Sequence, residues 1–486
     1  MDNTLYYGDN LPILRNYVAD NSVDLVYLDP PFNSKADYNI LYKEPTGEPS
    51  RAQITAFEDT WHWTEETELI FQEIVKEAPA EVIEMMVSFR KFLLPNDVMA
   101  YLTMMCIRLL ELKRVLKNTG CIYLHCDPTA SHYLKILMDV VFGKKNFRNE
   151  IIWHYRKWPS GNRQFQRNHD CILFYSKSDS ADRIFNKVDL MERTESTLKR
   201  FGKFKIVSGH DEEGKRLPSQ MEEEESLGVP RDDVWDIGRV PPIKQLFPTQ
   251  KPELLLSRLI RASSNEDFVV LDPFCGCGTT IVESYKLRRK WTGIDITHLS
   301  INLIKWRLSD MFGLDAGTDY KVIGEPEDLE GAKELALQNR HQFQWWATSL
   351  INARPYGDKK KGADSGIDGY LYYFEDKDKI GKAIVSVKSG GVSVKDIRDL
   401  SGVIDREKAG MGIFLTLEKP TRPMITEASQ KGLYHSAVFN KDFPRIQIFT
   451  IEEILSGKKP DTPPTISSFR KAQRVSTEET INLDLD

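Results

Sequence analysis

The 486-residue sequence has no apolar run approaching the length of a bilayer, so no membrane span is expected. Its opening, MDNTLYYGDN, has neither a basic n-region nor an apolar h-region, which argues against a signal peptide and for a cytoplasmic location. Cysteine is scarce: Cys106, Cys121, Cys126, Cys171, Cys275 and Cys277 make up the whole complement, and none forms a CxxC pair. A cytoplasmic chain of this size needs no disulfide framework. Cys275 and Cys277 flank a glycine, but no second Cys/His pair stands near to complete a metal site, so they read as loop filler and small core residues. Positive charge is not in excess either. The net charge of -6 gives no global sign of a polyanion partner.

That sum hides segregation. Residues 151–205 carry 12 Lys/Arg against 6 Asp/Glu, and a locally basic face on an acidic protein still permits nucleic-acid binding. The run EEEE at 222–225 reads as a solvated loop. The length suggests about three domain-sized units. Residues 1–40 read as strand, loop, strand, and residues 50–118 as helix-rich. GCIYLHCD at 120–127 reads as a buried strand followed by a helix from Thr129 to Val141. NEIIWHY and CILFYS, around 149–155 and 171–176, are two more strands. Residues 178–245 are polar and punctuated by Gly and Pro, as in an inserted module. From Pro248 on, helix and strand alternate regularly, the pattern of a parallel doubly wound sheet. GEPEDLEGAKE, near 325–335, reads as a linker. Residues 336–457 read as a separate α/β unit, and the polar tail from 458 to 486 as disordered.

Two short stretches carry chemistry. In VDLVYLDPPFNSKADYN, residues 23–39, an apolar strand runs into Asp29-Pro30-Pro31-Phe32. Proline lacks an N–H, fixes its own φ and pushes its predecessor into extended backbone. The result is a stiff spur presenting a carboxylate, free carbonyls and an aromatic ring. In DFVVLDPFCGCGTT a strand ending in Asp272 meets Phe274-Cys275-Gly276-Cys277-Gly278 and then a helix. The glycines let backbone N–H groups approach a ligand at the helix N-terminus, where the dipole favours an anion. The next strand ends in Asp295, 19 residues after Gly276, where an acid would bind ribose hydroxyls. A dinucleotide loop would want a third glycine at 281, where Ile281 stands, so a nucleoside with a small charged tail fits better.

Together these features resemble the S-adenosylmethionine-dependent amino-methyltransferases of DNA, across about residues 1–315. Asp29-Pro30-Pro31-Phe32 is similar to that family's catalytic tetrapeptide, and Phe274-x-Gly276-x-Gly278 to its cofactor loop. FPTQKPELLLSRLI is similar to the helix before that loop. The tetrapeptide precedes the loop, as in the circularly permuted β-class, and Gly8-Asp9 resembles that class's adenine-contacting GD. The resemblance implies an α/β fold built on a Rossmann-like methyltransferase sheet with permuted motif order. It implies a methyltransferase domain over 1–330, with 178–245 as the target-recognition insert. It assigns catalysis to Asp29, Pro30, Pro31 and Phe32, and cofactor binding to Asp9, Asp272, Phe274, Gly276, Gly278 and Asp295. Asp29 and the Pro30 carbonyl would accept the two N–H groups of the exocyclic amine, and Phe32 would stack on a base flipped from the duplex. His125 and Asp127 read as supporting residues near the site. Asp rather than Ser at the head of the tetrapeptide favours adenine N6, with N4 of cytosine and RNA as alternatives.

Arg156, Lys157, Arg163 and Arg167, interleaved with Trp153, Trp158 and Phe165, read as a surface touching the phosphates of double-stranded DNA. FEDTWHWTEE at 57–66 reads either as a homodimer interface or as a DNA-facing helix, and the sequence leaves both open. In the C-terminal unit, GADSGIDGYLYYFEDKDKIGKAIVSVKSGG reads as a hairpin with Asp368 near one strand and Ser386-x-Lys388 on the other. Residues 336–457 resemble the Mrr-type branch of the PD-(D/E)xK nucleases, a restriction-endonuclease-like α/β fold. That resemblance implies a metal such as Mg²⁺ at Asp368 and a water-orienting Lys388. Ser386 stands where an acid or glutamine is expected, and Gln344 where a glutamate is, so weak or conditional cleavage is expected. A restriction-type nuclease whose methyltransferase half reads DNA is the rival reading.

Overall fold

The computed structural model describes residues 2–31, 37–43, 49–58, 62–157, 163, 165–180, 182–192, 195–207, 215, 220–225, 228–241, 245–246, 249–356, 366–375 and 379–466. Phe32, Trp158 and the tail from 467 onward therefore lie outside the described residues.

The chain opens with β1 (Thr4–Tyr7) and α1 (Asn10–Tyr17), whose first turn is capped by the Asp9 carboxylate accepting from Leu11 N at 2.9 Å. This helix occupies what reads as a loop in sequence: its eight residues are too few for a clear period, and the cap and the burial of Leu11, Ile13 and Leu14 decide it. β2 (Val23–Leu28) is buried along its whole length and ends at the spur. A two-stranded hairpin follows, β3 (Asp37–Lys43) with β4 (Pro49–Glu58), so the helix-rich stretch starts later than expected. It comprises α2 (Glu65–Glu77), α3 (Ala80–Leu93) and α4 (Asp97–Val115).

Next come β5 (Leu116–Cys126), α5 (Ser131–Phe142), β6 (Phe147–His154) and β7 (His169–Ser176). The polar module contains α6 (Glu195–Phe201), β8 (Phe204–Val207) and β9 (Gln220–Glu225). β9 includes the glutamate run, which pairs antiparallel with β8 instead of forming a loop. The module also sends β10 (Val234–Asp236) into the main sheet. There Trp235 is 7 % exposed, with the Arg258 guanidinium 4.8 Å above its ring. So 178–245 is not wholly an insertion: its C-terminal end completes the core.

The regular half then supplies α7 (Glu253–Ser263), β11 (Val269–Asp272), α8 (Thr279–Lys286), β12 (Lys290–Asp295), α9 (His298–Phe312) and β13 (Lys321–Ile323). Nine strands form one sheet in the order β10-β6-β7-β5-β2-β11-β12-β1-β13. β7 runs antiparallel to both its neighbours; β5, β2, β11, β12, β1 and β13 are all parallel. The N-terminal strand β1 thus lies between β12 and β13, as a permuted motif order requires.

The expected linker is itself helical, as α10 (Leu329–Gln338), capped by Asp328, and it leads into α11 (Arg340–Ser349). A second sheet orders β14 (Arg354–Pro355), β15 (Gly369–Phe374), β16 (Ile380–Lys388), β17 (Met411–Thr416) and, further along, β20 (Ile446–Thr450). Between the last two lie α13 (Arg422–Gln430) and the hairpin β18 (Leu433–Ser436) with β19 (Lys441–Pro444). α12 (Val394–Arg406) crosses from β16 to the parallel β17, with Ile397, Leu400 and Ile404 buried beneath it. The two units meet where α11 packs on α9: His298 N donates to Gln342 Oε1 at 3.1 Å, and Tyr7, stacked on His298 at 3.6 Å between ring centroids, packs against the second unit's core. No helix among the described residues is long and apolar enough to cross a membrane.

The Trp235→Ala variant should lose about 3 kcal/mol of stability, from the lost side-chain burial and the cavity left behind. Thermal unfolding followed by circular dichroism checks this. An unchanged melting temperature would mean that β10 does not belong to the sheet.

Candidate active site

The parallel run places the C-terminal ends of β2, β11, β12 and β1 on one edge, where they surround a cavity of about 500 Å³. Asp29 and Pro31 from the spur, Gly8 and Asp9 after β1, Asp272 to Cys277 after β11, and Asp295 after β12 all line it. The stretches singled out in sequence, which lie more than 240 residues apart, therefore share one wall. Pro30 is buried behind them. Gly278 does not line the cavity; it takes φ +72° as the cap of α8, and a Cβ there would lie 2.6 Å from Ile304 Cγ1.

Local bonds set the geometry. Asp272 Oδ1 accepts from Phe274 N at 3.0 Å and Oδ2 from Thr280 Oγ1 at 2.6 Å, which ties the strand end to the first turn of α8. Asp295 Oδ2 accepts from Gly276 N at 2.9 Å, while Oδ1 takes the N–H and hydroxyl of Thr297 at 2.9 and 2.8 Å. Gly8 N donates to Asp295 O at 2.9 Å, closing the GD turn onto β12. Asp9 Oδ1, besides capping α1, pairs with Arg108 Nη2 at 2.7 Å. Asp29 Oδ2 pairs with the Lys251 ammonium.

The lining is acidic. Asp9, Asp29, Glu66, Asp272 and Asp295 contribute carboxyl groups, against the cations Arg108 and Lys251. Burial pushes Asp272 up to about 7, with Asp29 and Asp295 adding repulsion and the Thr280 and Phe274 bonds opposing it. Burial likewise raises Asp295 against the pull of its Thr297 and Gly276 bonds.

Sequence reasoning missed several of these groups. Arg108 donates through Nε to Asn10 Oδ1 at 2.5 Å, and Asn10 Nδ2 donates to Pro273 O at 2.7 Å, bracing the GD turn against the glycine loop. The signal was one arginine in the apolar run MMCIRLL, where a buried cation demands a partner. Lys251 lies in FPTQKPELLLSRLI, where nothing in the local sequence points to its contact with Asp29. His62, Thr64, Glu66 and Thr67, from the segment left open between dimer and DNA contact, line the cavity. His125 is fully buried behind the spur; Asp127 Oδ1 accepts from Thr129 N and Ala130 N at the start of α5.

Arg156, Lys157, Arg163 and Arg167 are exposed in the segment between β6 and β7, and Phe165 is 99 % exposed beside them. Trp153 does not belong to that surface. It is buried and donates through Nε1 to Ile237 O at 2.8 Å, because its strand position faces the core.

In the second sheet Asp368, Ser386 and Lys388 do lie close together. The Asp368 carboxylate is turned to backbone, with Oδ2 accepting from Val387 N at 2.6 Å. Ser386 is buried, and Lys388 Nζ stands 4.0 Å from Asp396 Oδ1. Among the described residues no three His, Cys, Asp or Glu side chains converge as metal donors, so the Mg²⁺ expected at Asp368 finds no donor set.

Residues 23–305 match the family described as DNA methylase, of the N6/N4 type. Residues 341–455 match a family described as NACHT-associated inactive restriction endonuclease. The chain is 26 % identical over 357 residues to the type II methyltransferase M.HpaI of Haemophilus parainfluenzae, covering 73 % of this chain and 89 % of that one. It is 25 % identical over 297 residues to the DNA adenine methyltransferase YhdJ of Escherichia coli, covering 60 % and 78 %. Among solved structures, the cytosine-N4-specific PvuII DNA methyltransferase aligns with a TM-score of 0.38 at 14 % identity, covering 63 % and 86 %.

The raised Asp272 yields a prediction. The folded chain keeps its proton up to about pH 7, whereas the unfolded chain releases it near the ordinary 3.8. Between those values the folded state holds the extra proton, so stability falls as pH rises. Asp272→Asn should remove this loss, and its melting temperature relative to wild type should climb from pH 4 to pH 7.5. A constant difference across that range would overturn the assignment.

Proposed function

Because the chain belongs to the N6/N4 family of DNA methylases, we propose that it moves a methyl group from S-adenosyl-L-methionine to the N6 amine of a flipped adenine in duplex DNA. The observation that carries this reading is the single cavity shared by the Asp29-Pro30-Pro31 spur and the glycine loop after β11. A volume of about 500 Å³ lies within the range of pre-formed ligand sites. The acidic lining suits a donor bearing a sulfonium and an ammonium, and the Gly276 and Gly278 turn at the start of α8 suits its carboxylate.

The donor brings a methyl group already activated on positive sulfur. The chain's work is placement and charge. Asp29 and the Pro30 carbonyl accept the amine's N–H groups, drawing nitrogen toward tetrahedral geometry as it gains positive charge. Phe32 stacks on the base. Asp295 Oδ2 keeps a second lone pair beside its Gly276 bond, free for a ribose hydroxyl. Asp9, Asp272 and Phe274 complete the donor's wall. Arg156, Lys157, Arg163 and Arg167 contact phosphates, and 178–245 reads the target sequence, with β10 anchoring it to the sheet. Residues 1–330 form the methyltransferase domain on this reading. Asp rather than Ser at position 29 favours adenine.

Residues 336–457 form a nuclease-like domain that holds DNA or a partner without rapid cutting. The absence of a donor set around Asp368 among the described residues supports this.

The decisive experiment gives the protein isotope-labelled S-adenosyl-L-methionine with duplex DNA, RNA or neither, then digests the nucleic acid and identifies the modified base. Label in N6-methyladenine of duplex DNA alone is the expected result. Label in RNA alone, or none, would end this reading, and N4-methylcytosine would correct its finer part. Asp29→Ala should reduce transfer at least 1,000-fold, about 4 kcal/mol of barrier, while calorimetry still finds donor binding. Asp295→Ala should weaken donor binding first. Equal loss of donor binding in both would show that the roles are misassigned. Unmethylated plasmid incubated with Mg²⁺ or Mn²⁺ should stay intact; rapid cutting abolished by Lys388→Ala would reverse the ranking of the two units.

A further inference from the structure

The χ2 torsion of aspartate is broad and nearly two-fold, so the side chain does not by itself decide where its carboxylate oxygens point. Asp29 must present its free lone pairs to an incoming amine, and something else must set that angle. The structure supplies one ion-pair partner and one packed neighbour. Lys251, just before α7, places its ammonium on Oδ2, and both side chains are mostly buried, 11 % and 16 % exposed. Lys251 Nζ also donates to Thr249 O at 3.4 Å, within its own segment. On the other side His125, at the end of β5 and fully buried, packs with Nδ1 4.0 Å from Asp29 Oδ1, too far for a hydrogen bond, and 3.0 Å from Tyr27 Oη, so it walls in the carboxylate by contact.

His125 is held in turn. Its Nε2 lies 3.3 Å from Asp170 Oδ2, and Asp170 Oδ1 accepts from Tyr155 Oη at 2.9 Å. Burial works against the Asp170 anion, but the bond and charge of His125 outweigh it and hold the group down at about 2. An ionised carboxylate can only accept, so Nε2 carries the proton and the ring's orientation follows from Asp170.

We propose that Lys251 and the His125–Asp170 pair are positioning residues for methyl transfer, fixing the rotation of the Asp29 carboxylate so that its remaining lone pairs face the cavity. A carboxylate offers about four acceptor sites. Lys251 uses one, and the amine's N–H takes another without displacing it. This rests on the reading of Asp29 as the amine acceptor. It adds to that reading three residues, from β5, β7 and the segment before α7, that act through Asp29.

The test compares wild type, Lys251→Met, Lys251→Arg and Asp170→Asn in the duplex methylation assay, with calorimetry of S-adenosyl-L-methionine binding alongside. Lys251→Met should lower kcat at least tenfold with KM for DNA and donor affinity within about threefold. Lys251→Arg should recover at least a third of the rate, and Asp170→Asn, which keeps the shape but loses the anion, should lower kcat several-fold. A kcat within twofold of wild type for both Lys251→Met and Asp170→Asn would overturn the proposal. So would a rate loss matched by loss of donor affinity and not restored by arginine. A double-mutant cycle of Asp29→Asn and Lys251→Met in melting temperature reads the contact without any substrate. Non-additive shifts are expected, and additive shifts would overturn the proposal even if wild type transferred no methyl. A silent wild type with a non-additive cycle would mean that the functional reading fails while the contact stands.

Discussion

Parallel pairing is the constraint on which the rest of this structure depends. When β2, β11, β12 and β1 run the same way, their C-terminal ends emerge on one edge, and each of these ends carries an aspartate within two residues. The crevice outside the carboxyl ends of such strands is where open α/β sheets take ligands. Here it gathers Asp9, Asp29, Asp272 and Asp295 around one cavity, an arrangement no local segment could produce. Like charges so close are unfavourable unless neutralised or offset. Asp272 answers by holding its proton, Asp29 by pairing with Lys251, and Asp9 by pairing with Arg108.

These answers differ in what they leave available. Asp272 is 3 % exposed and bonded on both oxygens to α8 and its approach, so its role is to tie the glycine loop to the strand. Asp29 stays 16 % exposed to the cavity and is paired with the Lys251 ammonium, not tied to the glycine loop. The cavity-facing and bracing aspartates are therefore distinguished by their partners, not by residue type. Arg108 extends the brace through Asn10 to the Pro273 carbonyl, which links the GD turn to the glycine loop.

The second unit packs against the same end of the first through Tyr7 and α11. Tyr7, one residue before Gly8, stacks on His298, and α11 reaches the N-terminus of α9 through Gln342. The nuclease-like unit thus abuts the segment after Asp295 and is more than a tethered appendage. Its own would-be centre is differently furnished: Asp368 bonds to backbone and Ser386 offers a hydroxyl where a second acid would bind a hard cation.

The sequence by itself determined the chemistry-bearing stretches and most of the periodic elements. The prolines of the spur, the glycines before α8 and the acids at strand ends act through local stereochemistry, which is legible without a fold. So was the strand–helix alternation after residue 248, because burial on both faces of a parallel sheet leaves long apolar runs. What only the tertiary structure decided are the features that depend on distant partners. The helix α1 follows from a cap and three buried side chains, and the strand at 220–225 from its pairing with β8, despite four glutamates in a row. Trp153 and Trp235 face the core because β6 and β10 pair in register at the sheet edge. Above all, Lys251 pairs with Asp29 from 222 residues away in sequence, and His125, bonded to Asp170, packs beside it. Ion pairs and hydrogen bonds of that kind depend on where folding brings side chains together, and no spacing in the sequence encodes them.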